Sequence, residues 1–82
     1  MGEERSGHPE LAVRHAIRLK REALGLSKRE LGRRAQLSVA YVASLEAGSL
    51  KPGFNAFARL AVELRFTPSE IYLLIQNEAL TP

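Results

Sequence analysis

The stretch that most constrains this chain runs from Gly25 to Gly48, where two serines, Ser27 and Ser38, each stand just before a helical apolar pattern. A serine hydroxyl there can accept from the free backbone N–H groups of a helix's first turn, so each marks a helix start. Glu30, three residues after Ser27, adds the acidic member of a capping box. The pattern predicts two short helices, Lys28–Ala35 and Val39–Ala47, joined through Gln36-Leu37 at a sharp corner. Leu31, Ala35, Leu37, Val42 and Leu45 form the seam between them. Gly25 and Gly48 bracket the pair as residues able to adopt the left-handed conformation that stops a helix.

Around this corner the remaining segments read as three further helices. Residues 1–8 are polar and aperiodic and are expected to be a flexible arm. Pro9 suits a first helical position, and a helix is predicted from Glu10 to Leu24, burying Val13, Ala16, Ile17 and Leu24 on one face. Leu11 and Leu19 fall off that face. Ser49–Gly53 is a loop broken by Pro52 and Gly53. Phe54, Phe57, Leu60, Ala61 and Leu64 recur at helical spacing, which predicts a fourth helix over Asn55–Leu64. Thr67, Pro68 and Glu70 open a fifth with a second capping box. The run Ile71-Tyr72-Leu73-Leu74-Ile75 is more apolar than one buried face requires, and Ile71 and Leu74 are expected to point inward. The expected organisation is a single domain over 9–76 with a frayed tail over 77–82.

Composition narrows the function classes. With 82 residues, 45% hydrophobic but only 6% aromatic, one small aliphatic helical core is the expected architecture. No cysteine is present, which removes disulfides and thiolate metal sites from consideration. No apolar run has the length of about 18–20 residues that a membrane span needs, and no signal-peptide pattern opens the chain, so a cytoplasmic protein without a membrane partner is expected. There is no Asp, no paired His and no Gly-rich phosphate loop. His8 and His15 have no metal or catalytic spacing. Neither enzyme chemistry nor a cofactor is expected.

Charge is unevenly distributed. Between Glu10 and Lys51, Arg14, Arg18, Lys20, Arg21, Lys28, Arg29, Arg33, Arg34 and Lys51 face four glutamates, while the rest of the chain is mildly acidic. A basic half carrying two capped helices is what a phosphate-facing surface needs.

The phrases Gly-Leu-Ser, Leu-Ser and Leu-Glu-x-Gly resemble the Cro and lambda-repressor-like helix-turn-helix family. So does the placement of Ile17, Arg21, Leu31, Ala35, Val42, Leu45, Glu46, Pro52, Phe57, Ala61 and Leu64. The resemblance covers about residues 11 to 72. It implies an all-α, compact five-helix lambda-repressor-like DNA-binding domain, with helices two and three as the helix-turn-helix, the third in the major groove and the second across the backbone. It also implies that Ser38, Val39, Ala40 and Ser44 meet base edges, that Lys28 and Lys51 meet phosphate, and that Arg21 and Glu46 form a partly buried structural ion pair.

Two departures bear on mechanism. The family commonly places Gln, Arg, Asn or Ser where this chain has Val39 and Ala40, and Gln where it has Lys28. Apolar side chains cannot make bidentate bonds to purines, although they can pack on a thymine methyl. Phosphate contacts from Lys28, Arg29, Arg33, Arg34 and Lys51 are therefore expected to dominate affinity. Ser44, Tyr41 and Gln36 would supply polar base contacts, and DNA shape further selectivity, although a tyrosine at the position of Tyr41 is more often a half-buried packing residue at the groove rim than a base reader. Tyr72, Leu73 and Ile75 are expected to form a twofold interface. The function expected is a sequence-specific, double-stranded-DNA-binding transcriptional regulator, a homodimeric repressor. The alternative is an antitoxin-like or adaptor module that uses the C-terminal apolar helix to bind a protein partner.

Overall fold

In the computed structural model, which describes residues 12–80, the chain forms α1 (Val13–Ala23), α2 (Lys28–Ala35), α3 (Val39–Ala47), α4 (Phe54–Glu63) and α5 (Pro68–Leu80). Among the described residues there is no strand. This is the all-α, five-helix lambda-repressor-like arrangement, with α2 and α3 as its helix-turn-helix. The 1–8 arm, the start of the first helix at Pro9 and Glu10, Leu11, and residues 81–82 lie outside the described residues.

The first four helices stop in the same way. Gly25, Gln36, Gly48 and Arg65 all have positive φ, between 61° and 84°. In each case the left-handed residue's N–H returns to the carbonyl three residues back, and the next N–H to the carbonyl five back: Leu26 to Arg21, Leu37 to Gly32, Ser49 to Ser44 and Phe66 to Ala61. This double closure satisfies carbonyls that a helix end would otherwise leave bare. Three of the four residues that follow, Leu26, Leu37 and Phe66, pack against the core, so the stop also turns the chain inward. Two of the stops use Gln36 and Arg65, where no glycine marks the position.

Serine caps open α2 and α3, with the Oγ of Ser27 accepting from Glu30 N–H and that of Ser38 from Tyr41 N–H, both at 3.0 Å. The box at Thr67 closes in both directions: Glu70 N–H donates to Thr67 Oγ1, and Thr67 N–H donates to Glu70 Oε1. The box at Ser27 does not close as its spacing predicts, because Arg33 and Arg34 take the Glu30 carboxylate.

Ile17, Leu31, Ala35, Val42, Leu45, Leu60 and Leu64 form the core, with Ala61 and Leu74 also buried. Burying each of the larger side chains contributes about 1.5–3 kcal/mol. α2 sits at the centre, packed on α3 and α4, while α1 packs on α3. The α2–α3 corner is tight enough that a Cβ on the buried Gly32 would lie 2.6 Å from the Leu37 carbonyl oxygen.

Three expectations are corrected. Phe54 does not join the core: it opens α4, one residue earlier than expected, and is 85% exposed. Phe57, one turn on, is instead half-buried, with its ring 6.2 Å from that of Phe66. Leu24 is exposed rather than buried, because α1 ends at Ala23 and the chain turns away there. The helix at the C-terminus continues past Asn77, which is buried, so α5 extends to Leu80 where fraying was expected.

Replacing Gly32 with Val should cost about 1–3 kcal/mol or more, since the clash is with backbone and can be relieved only by opening the corner. Urea unfolding followed by far-UV circular dichroism measures it.

Candidate nucleic-acid interface

The two helices of the corner divide the chemistry unequally. Lys28 and Arg29 occupy the first turn of α2 and are exposed. Neither pairs with a carboxylate among the described residues. Farther along, the Glu30 carboxylate accepts from Arg34 Nε at 2.9 Å and from Arg33 through both Nε and Nη2. These hydrogen bonds, Arg33's first, hold the Glu30 carboxyl at about 2 and raise Arg33 above its ordinary value. Arg33 and Arg34 are thus partly neutralised, although both remain exposed to solvent. Lys51, 81% exposed, extends to Glu78 Oε1 at 3.4 Å.

On α3 the described surface is nearly free of charge. Ser38, Val39 and Ala40 are exposed at its start, and Ala43 and Ser44 are half-buried farther on. Tyr41 does not stand out as a base-reading side chain: it is half-buried and packed against the core cluster. Gln36 is displaced from this group too. As the left-handed stop of α2, it lines a shallow cleft with Arg34, Arg59, Val62 and Glu63 and so lies beside α4.

Arg21 and Glu46 lock the corner to the rest of the fold. Arg21 Nε and Nη2 meet Glu46 Oε2 and Oε1 at 2.7 and 2.9 Å, and Arg21 Nη1 donates to the Leu26 carbonyl at 2.9 Å. The two side chains are only 11% and 4% exposed. Hydrogen bonding to Glu46 raises the Arg21 pKa against an opposing desolvation. Fork-to-fork geometry fixes direction as well as distance, so α3 is held in one orientation on α1.

Several supporting contacts had no signal in local sequence pattern. Arg59 Nε donates to the Ala35 carbonyl at 2.8 Å and secures the end of α2 to α4. The Arg14 side chain lies over Gly48, where a Cβ would come within 3.0 Å of its Cδ, bringing a cation to the C-terminus of α3. Lys20 bridges Glu70 at 2.7 Å and sits 5.5 Å from the centre of the Phe66 ring, joining α1 to α5. The Glu30 pairs, by contrast, stand at three- and four-residue helical spacing and were readable as neighbours.

Tyr72, Leu73 and Ile75 are 63%, 47% and 61% exposed on α5. Phe54, Pro52, Phe57 and Ile75 line an apolar groove of about 280 Å³ nearby. Among the described residues no cluster of His and Glu could hold a metal ion, and no helix is long and apolar enough to cross a membrane.

A family model described as a helix-turn-helix domain matches residues 12–74, and the chain belongs to that family. No curated protein and no solved structure matches it. The family and the basic first turn of α2 together point to DNA as the partner.

Truncating Glu46 to Ala should cost about 3–5 kcal/mol, because it strands the Arg21 charge in a nearly closed site. The double change Arg21→Met with Glu46→Leu should cost clearly less, and urea melts of both variants test the difference. In a carboxyl NMR titration Glu30 should show a midpoint near 2. A depressed carboxyl stabilises the fold at pH above its unfolded value, so this contribution should fade as pH falls from about 4.5 toward 2. Arg33→Ala should move the midpoint upward.

Proposed function

We propose that the protein is a homodimeric, sequence-specific double-stranded-DNA-binding transcriptional repressor. In this reading α3 enters the major groove and the first turn of α2 meets the phosphate backbone. The observation that carries it is the exposed Lys28–Arg29 turn beside the exposed start of α3, within a matched helix-turn-helix domain. Lys51 adds a further exposed cation in the loop after α3. Arg33 and Arg34 contribute less than their charge alone would give, because Glu30 competes with phosphate for both. Ser38, Val39, Ala40 and Ser44 are the residues placed against base edges.

Exposed apolar side chains on α5 support dimerisation, with Tyr72, Leu73 and Ile75 as the contact. A twofold pair would set two α3 helices about one DNA turn apart, roughly 34 Å, and would require a pseudo-palindromic site. The same surface supports a second reading, an antitoxin-like or adaptor protein that binds another protein through α5. Here Phe54, at 85% exposure, enlarges the apolar area available.

Fluorescence anisotropy on duplex DNA at a series of salt concentrations separates the two. Under the DNA reading, log K should fall linearly with log salt, and Lys28→Ala with Arg29→Ala should lower the slope by about 1.8, at about 0.9 per lost phosphate contact. Binding no tighter than that of an unrelated basic protein, with an unchanged slope in the double variant, would overturn it. Tyr72→Glu with Ile75→Glu should give a monomer by sedimentation.

A further inference from the structure

The start of α3 has very little with which to form hydrogen bonds to a base. Ser38 Oγ already accepts from Tyr41 N–H at 3.0 Å, which ties its side chain to the helix cap and leaves the hydroxyl proton and one lone pair for other partners. Tyr41 is packed against the core, Ser44 is half-buried, and Gln36 lies beside α4. Beside the exposed Ser38, what this start of α3 presents is apolar: Val39, 39% exposed, and Ala40. Serine hydroxyls bond to donors and acceptors alike and so discriminate poorly among base pairs.

The surroundings nonetheless suit a nucleic-acid groove. The carboxylates carried by α2 and α3 are Glu30 and Glu46, and both are ion-paired, Glu30 to Arg33 and Arg34 and Glu46 to Arg21. No unpaired carboxylate on these helices opposes Lys28 and Arg29. A cationic turn would therefore carry an apolar patch against DNA. In the major groove the apolar feature that differs between bases is the C5-methyl group of thymine.

Resting on the DNA-binding reading above, we infer that α3 selects its site through thymine C5-methyl groups packed on Val39 and Ala40, not through hydrogen bonds to base edges. Two consequences separate this mode from ordinary purine readout. Uracil, which lacks only the methyl, is discriminated against at the positions beneath these side chains. A 5-methylcytosine·guanine pair substitutes there for thymine·adenine better than cytosine·guanine does.

The test starts from duplexes enriched on the full-length protein from a random-sequence pool. Anisotropy then compares the enriched duplex with versions in which single thymines are replaced by uracil, cytosine or 5-methylcytosine. Each contacted thymine should lose about fourfold in affinity on replacement by uracil, the value of one methyl-sized group removed from water. Replacement by 5-methylcytosine should retain more affinity than replacement by cytosine. Val39→Ser, at an exposed position whose change leaves the core intact, should abolish the thymine-over-uracil preference at one position and leave the salt slope unchanged. Equal affinity of every uracil duplex, or an enriched duplex no better than the starting pool, would overturn the inference while salt-dependent binding left DNA contact standing. Absence of binding to any duplex would overturn both.

Discussion

The Arg21–Glu46 pair is the interaction on which the geometry of the corner depends. α2 and α3 could pack on each other through Leu31, Ala35, Val42 and Leu45 alone, since those side chains meet across the seam. Apolar contact has no direction, however, and would tolerate rotation of the corner over α1. The bidentate contact, with the third Arg21 nitrogen on the Leu26 carbonyl, removes that freedom by fixing α1, the turn into α2 and the last turn of α3 together. A buried pair of this kind adds little net stability over an apolar replacement, so its value lies in orientation. Under the proposed function, in which α3 enters a groove at one angle, orientation is the property that matters.

With the frame set, charge is allotted more sparingly than the number of basic residues implies. Lys20, Arg14 and Arg59 are used within the fold, bridging Glu70, covering Gly48 and holding the Ala35 carbonyl. Arg33 and Arg34 are shared with Glu30. On the corner, Lys28 and Arg29 make no ion pair among the described residues and stand at the end of α2 nearest its free N–H groups, where the helix dipole adds to their positive field. A surface of this type favours phosphate without regard to sequence, so the proposed sequence selectivity falls to the apolar start of α3.

How much of this was legible depended on how far apart the interacting residues lie. The Ser27 and Ser38 caps and the Thr67–Glu70 box each close within three residues, and the bounds of α2 and α3 follow from them. The core positions at three- and four-residue spacing, Leu31 with Ala35 and Leu60 with Ala61 and Leu64, were readable for the same reason. Phe54 shows the limit. Its spacing to Phe57 is that of a buried pair, yet Phe57 is half-buried beside Phe66 while Phe54 is left outside. Tyr41 has an outward helical phase but a ring large enough to reach the core edge, and it takes the half-buried packing position that its size favours. Gln36 and Arg65 stop helices in a left-handed conformation that glycine would have announced.

The sequence by itself therefore determined the five-helix order, the capped corner between α2 and α3, and the concentration of positive charge in that half of the chain. These are matters of hydrogen bonds closed within a turn and of side chains one helical period apart. Only the tertiary structure decided which cations stay exposed, that Gln36 lies beside α4, and that Phe54 joins the apolar surface of α4 and α5. Those outcomes hang on contacts between helices, such as Arg21 with Glu46 and Arg59 with Ala35, whose partners are brought together by packing and not by any periodicity in the chain.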